Sequence, residues 1–237
     1  MPQLNRTREI RVYLPPAYGQ SKKRFPVIYL QDGENIEDSV GLYSFNLLRR
    51  MDSLYALGKS QSVIVAIFSS SKHRDNEYNI SEDGEGNEYI NFIAFTLKPY
   101  IDKNFKTIST KENTIIAGIG KGAVIALYAN FKMPEVFGKA GIFSLDIGNS
   151  NLLKEMALSL TPTFNNKLFF YNNGNDDEED LLMIEELTDI IGQKSSAMVY
   201  KMMDNLLDSK ETAWAKWFPE FTLWMNANGY NYVIKPW

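Results

Sequence analysis

The 237-residue chain has no cysteine and one histidine. The first absence removes disulfides, thiol nucleophiles and thiolate metal sites. The second leaves any chemistry that needs an imidazole to His73 alone. No stretch reaches the roughly 18 apolar residues a membrane span needs, and the opening residues Met1 to Glu9 lack the apolar centre of a secretory signal. Basic residues are outnumbered by acidic ones, 25 against 29, for a net charge of −4. Nothing here forms the basic footprint of a nucleic-acid binder. A cytoplasmic location fits these absences, with neither membrane nor nucleic acid expected as a partner. Internal repeats and low-complexity segments are also missing.

What is present is a chain 44% hydrophobic and 23% charged, long enough to bury a sizeable core as one α/β domain over residues 1–237. The segment Glu9 to Leu14 alternates and stops at Pro15-Pro16, which predicts an outer strand. Phe25 to Gln31 is a continuous apolar run ending in Asp32-Gly33, as in a buried strand closed by a tight turn. Further strands are expected at 62–68, 138–144, 167–172 and 197–203. Helical spacing marks 44–57, 87–105, 150–160, 180–191 and 211–228, and Ser69 to Gly86 reads as a polar loop. Strands alternating with helices imply a mainly parallel sheet covered on both faces.

The segment from Asn113 to Ala129 is the centre of the pattern: an apolar run, a burst of glycines, then apolar residues at helical spacing. It predicts strand, sharp turn, helix. An α/β-hydrolase holds its nucleophile at such a turn, in the pattern GxSxG. Here the five residues are Gly118, Ile119, Gly120, Lys121 and Gly122, without a serine. The same residues with Ala123 satisfy the dinucleotide pattern GxGxxA. That reading lacks an acid about 20 residues on and a first βαβ unit. The P-loop reading fails because Lys121 is followed by Gly122.

Beyond this turn the chain resembles the esterase-D-like branch of the α/β-hydrolases, the putative-esterase family. The segments that carry the resemblance are Arg8 to Tyr18, Pro26 to Gly33, Arg74 to Tyr78, Leu97 to Asp102, Glu112 to Gly118, Pro134 to Gly138 and Glu211 to Phe221. It implies an α/β-hydrolase fold, no cofactor and no metal, and a carboxylic ester as substrate. Family members commonly read Ala-Gly-Ser-Ser-Met-Gly-Gly at the turn, where this chain has Ala117 to Ala123, so Gly120 falls at the nucleophile position. The family's acid follows a strand and a glycine, which implies Asp177. Its histidine lies in a His-x-Glu-x-x-Trp stretch, and aligning Glu211 and Trp214 places Ser209 there. The resemblance therefore implies a triad with its nucleophile and base missing.

A serine is weak without a base to take its proton, and His73 sits well before the late loop from which this fold draws its base. His73 as a displaced base, beside the serine-rich loop Ser69 to Ser71, is the enzymatic alternative; a histidine at a surface or pocket rim is the simpler one. The expected cleft lies at the carboxyl ends of the strands and includes Asp32, Gly33, Arg74, Glu77 and Lys121, with Arg74 and Glu77 as a compensating pair. Lys121 at the start of a helix opposes the macrodipole, which a nearby buried carboxylate, a bound anion or simple exposure would explain.

The acidic run Asp176 to Asp180 reads as a helix start rather than a calcium loop. The aromatic spacing of Trp214, Trp217, Phe218, Phe221 and Trp224 reads as a helix pinned to the sheet. The apolar end from Asn226 to Trp237 packs on the body or forms a homodimer contact. Two functions are open: a degenerate esterase retained to bind a small molecule or ester-like compound, and an active ester hydrolase using rearranged residues.

Overall fold

A computed structural model describes residues 1–16, 18–36, 47–59, 61–69, 72–146, 148, 150–173, 178–204 and 210–226. Among these residues seven strands form a single sheet in the order β1-β3-β2-β4-β5-β6-β7. They are β1 (Ile10–Tyr13), β2 (Val27–Gln31), β3 (Val63–Ile67), β4 (Thr114–Gly120), β5 (Lys139–Leu145), β6 (Lys167–Asn173) and β7 (Met198–Asp204). Only β1 is antiparallel, paired with β3 from Ile10 opposite Ile67 to Tyr13 opposite Ile64. As the Pro15-Pro16 stop implies, β1 is an edge. β2 and β3 are buried at every residue. Their unbroken apolar runs are what a parallel strand covered on both faces requires.

The helices are α1 (Leu47–Ala56), α2 (Arg74–Glu77), α3 (Gly86–Phe92), α4 (Lys98–Asn104), α5 (Lys121–Lys132), α6 (Ser150–Leu158), α7 (Glu178–Lys194) and α8 (Lys210–Asn226). A π turn over Ile93–Leu97 joins α3 to α4. One core layer packs the chain from Tyr89 to Ile101, together with α5, α6 and α7, on Val27, Tyr29, Val63, Val65 and their neighbours. The opposite layer sets Met51 of α1 and the α8 aromatics on Ile28, Leu30, Ile64, Phe143 and Phe169. Within it Phe143 lies 5.5 Å from Phe221 and 6.3 Å from Trp214, both edge-on, a favourable aromatic geometry. The α8 aromatics thus hold that helix to the sheet, as their spacing predicts.

Two expectations change. The loop Ser69 to Gly86 contains α2, one helical turn too short to show a period. The helix read over 87–105 starts at Gly86 and carries the π turn, which leaves Phe95 63% exposed amid buried neighbours. The acidic residues Glu178, Glu179 and Asp180 do open α7, where negative charge meets the positive end of the helix dipole. Asp176, Asp177, Ser209 and the end from 227 to 237 lie outside the described residues.

Candidate functional site

β4 lies between β2 and β5 and ends at Gly120, directly followed by α5. The three glycines of the turn have different physical roles. A Cβ on Gly118 would stand 2.2 Å from the Gly122 carbonyl oxygen, so strand and helix approach too closely for any side chain there. A Cβ on Gly122 would meet the Asp32 carboxylate at 3.0 Å and the Gln31 Cβ at 3.2 Å. Gly120 is the reverse case: its Cβ direction is open to 4 Å, and its backbone is what demands glycine, at φ 55° and ψ −119°. It forms a sharp strand-to-helix turn of the kind on which α/β-hydrolases present a nucleophile, a turn that would strain a residue other than glycine. The sheet register shifts beside it, between Ile119 and Gly120, where Gly120 faces Leu145 of β5. Close backbone approach within the protein accounts for the GxGxxA match, and β4 is a central strand of an established sheet rather than the start of a nucleotide-binding unit.

Charged side chains reach this turn from the ends of β2 and from α2. Asp32, directly after β2, has φ 53° and is 6% exposed. Its carboxylate accepts two hydrogen bonds from Arg74, Nε to Oδ1 and Nη2 to Oδ2, both 2.7 Å, and a third at 3.1 Å from the Tyr78 hydroxyl. The Arg74 guanidinium also lies 4.9 Å from the Tyr78 ring centroid. This bidentate bond holds Arg74 above its already high ordinary pKa, although burial opposes it. Gly33 is buried against β3, where a Cβ would meet the Ala66 carbonyl carbon at 2.8 Å.

The pairing of Arg74 with Glu77 is corrected. Arg74 bonds Asp32, while Glu77 is fully buried and binds Arg8 and Arg6 of the N-terminal segment. A buried carboxylate at a strand end must be neutralised, and the bidentate Arg74 fork does this better than an exposed one-turn pair could. Arg6 extends the cluster by bonding both oxygens of Glu85, at 2.6 and 2.7 Å. Glu77 therefore anchors α2 on the side facing the N-terminal segment, while Asp32, Arg74 and Lys121 gather at the turn.

Lys121 finds its anion in Asp75, with Nζ 2.8 Å from Oδ1. The Lys121 hydrogen bond is the main influence holding the Asp75 carboxyl below its usual range. The partner is an exposed side chain of α2, not a buried carboxylate or bound ion. His73 immediately precedes α2 and lines a separate cavity of about 630 Å³ with Met1, Asn5, Arg6 and Arg8 among others, a cavity that includes neither Gly120 nor Lys121. Ser69 donates its N–H and hydroxyl to the Glu34 carboxylate. No group of three or more metal-ligating side chains occurs among the described residues, and none of their helices is long and apolar enough to cross a membrane.

The sheet order, the covering helices and the sharp turn after β4 define an α/β-hydrolase fold. The chain belongs to the Putative esterase family, whose profile matches residues 2–221. It is 32% identical over 146 residues to an endo-1,4-beta-xylanase/feruloyl esterase of Xylanibacter ruminicola, a match covering 56% of this chain and 19% of that protein. With the uncharacterised YbbA of Bacillus subtilis it shares 25% identity over 148 residues, 58% of this chain and 56% of the relative. The chain thus spans about half or less of these relatives' length. Among solved structures, a ferulic acid esterase superposes with a TM-score of 0.70 at 18% identity, covering 94% of this chain and 93% of that one. An enterobactin esterase from Shigella flexneri superposes with a TM-score of 0.72 at 17% identity, over 94% and 56%. At these identities the superpositions establish the fold alone.

Proposed function

We propose that this protein is a degenerate esterase: it keeps the hydrolase fold and elbow, lacks triad catalysis, and serves as a binding or interaction module for a small ester-like or carboxylic compound. The observation that carries the reading is Gly120. The turn has the backbone of an elbow, with φ 55° and an open Cβ direction, and no hydroxyl projects from it. Ser209 at the family's histidine position and the single His73 on another cavity agree with it. A nucleophile and its base act as a unit, so the loss of both leaves only what binding and oxyanion donors supply.

The ligand is assigned to the turn where Asp32, Arg74 and Lys121 gather; Gly33, packed against Ala66 of β3, is left out of it. Likeness to a ferulic acid esterase and an enterobactin esterase makes aromatic acid esters the first compounds to test. Purified protein should hydrolyse methyl ferulate and activated aryl esters no faster than an unrelated protein, and should resist fluorophosphonate probes. Stoichiometric labelling of one serine would establish the alternative, an active ester hydrolase with rearranged residues.

A further inference from the structure

A second cavity, of about 440 Å³, lies where the start of α3 meets the outer side of α5 and α6. Tyr128, on α5, is seven residues beyond Lys121, so about 10 Å further along the helix than the elbow. The apolar surface of the cavity comes from Ile80, Tyr128, Leu152 and Met156, all part of the core or packed against it. Glu82 and Glu88 also line it, and neither forms an ion pair among the described residues. An apolar floor with a few convergent polar groups is the usual make-up of a small-molecule site.

Tyr128 makes the cavity more than a surface dent. It is 5% exposed and lines the cavity, yet its hydroxyl has no hydrogen-bond partner among the described residues. The hydroxyl stays accessible from the cavity, so a polar group entering there can supply the partner that the protein does not. Burial, with the nearby Glu88 charge, raises the Tyr128 pKa above its ordinary value and keeps the group a neutral donor and acceptor. Lys132 lies 5.9 Å from the Tyr128 ring centroid, over the ring rather than on either carboxylate. Two carboxylates against one ammonium leave the lining one negative charge in excess.

We propose that this cavity binds a small aromatic amine, the ring resting on Tyr128, Leu152 and Met156 and the ammonium lying between Glu82 and Glu88 within reach of the Tyr128 hydroxyl. The ring supplies apolar area for the floor, and the cation supplies the charge that the carboxylates lack. The site is independent of the elbow and does not rest on the reading of Gly120.

The test titrates the full chain with phenethylamine and, separately, with phenylacetate, followed by NMR. The expected result is saturable shifts at Tyr128 and Met156 with the amine, and binding at least about tenfold weaker with the acid, the scale of one hydrogen bond to a charged group. Glu88→Gln, a conservative change on a part-exposed side chain, should weaken the amine about tenfold, and Tyr128→Phe, which removes only the hydroxyl, about threefold. Unchanged thermal midpoints keep those losses separate from unfolding. The proposal is overturned if the amine produces no saturable shift up to its solubility limit, if the shifts map to another surface, if phenylacetate binds as well, or if Glu88→Gln binds the amine like the parent.

Discussion

Gly120→Ser puts a hydroxyl back at the elbow and tests the backbone at the same time. The added Cβ meets nothing within 4 Å, so no clash contributes and the cost is conformational. A non-glycine residue at φ 55° and ψ −119° carries strain of about 1 to 3 kcal/mol. Part of that is offset because serine has fewer unfolded conformations to lose than glycine, by up to about 1 kcal/mol. Gly192→Ser supplies the reference: Gly192 lies within α7, with no positive φ and open space around its Cβ position, so it keeps the offset without the strain. For a chain of this length about 1 kcal/mol moves the midpoint by about 2 to 4 °C. Gly120→Ser should therefore unfold about 2 to 12 °C below Gly192→Ser in calorimetry. Gly118→Ser should fall furthest, because its Cβ would stand 2.2 Å from a backbone oxygen. Gly120→Ser should gain no esterase activity, having no base to take its proton. If it unfolds at or above the temperature of Gly192→Ser, residue 120 is not in the elbow conformation, and the assignment of triad positions falls with it.

Arg8→Met should lower stability in urea denaturation by about 3 to 5 kcal/mol, because the Arg8 and Glu77 side chains are only 4% and 1% exposed and the carboxylate keeps Arg6 alone; adding Glu77→Leu should recover much of the loss, and a loss under about 1 kcal/mol would mean that the pair does not hold α2. Burial, then the neighbouring Lys167, lowers the Lys139 pKa to about 8. Below pH 8 the amine is charged in both folded and unfolded chains and the burial cost is present in full; between pH 8 and 10 the folded chain releases the proton first and stability rises, by up to about 3 kcal/mol for the interval from about 8 to the ordinary 10.5. Above pH 10 the buried tyrosines Tyr29, Tyr78 and Tyr89, all raised chiefly by burial, reverse the trend as the unfolded chain ionises first. Lys139→Met should flatten the rise between pH 8 and 10, and an identical slope in the variant would refute it.

The strands were legible within one or two residues because the buried ones, such as Val27–Gln31 and Val63–Ile67, are apolar runs rich in β-branched residues, and turn chemistry closes them where Gln31 gives way to Asp32-Gly33. The elbow was legible for a related reason: three glycines spaced by one residue between an apolar run and a helical period have few structural uses. The ion pairs around it were not. Arg74 meets Asp32 across 42 positions, Lys121 meets Asp75 across 46, and Arg8 meets Glu77 across 69. No local period links such partners. The one local signal, Arg74 three residues before Glu77 in a helix of four residues, pointed to the wrong pair. What could be read was a choice rather than a partner: a lysine opening a helix called for an anion nearby or for exposure, and Lys121 has both, paired with Asp75 and itself exposed.

The separate roles of the glycines distinguish what the fold demands of the elbow from what any chemistry at residue 120 would demand. Gly118 and Gly122 are small because the β4–α5 crossing brings backbone against backbone and the Asp32 carboxylate against the helix start. Those demands belong to the fold and are the same whether residue 120 reacts or not. At residue 120 the demands oppose each other: a nucleophile requires a side chain in a backbone conformation that side chains disfavour, whereas stability favours glycine. Glycine there is the relaxed state of the turn. The strained alternative is justified only by a base positioned to activate what it presents.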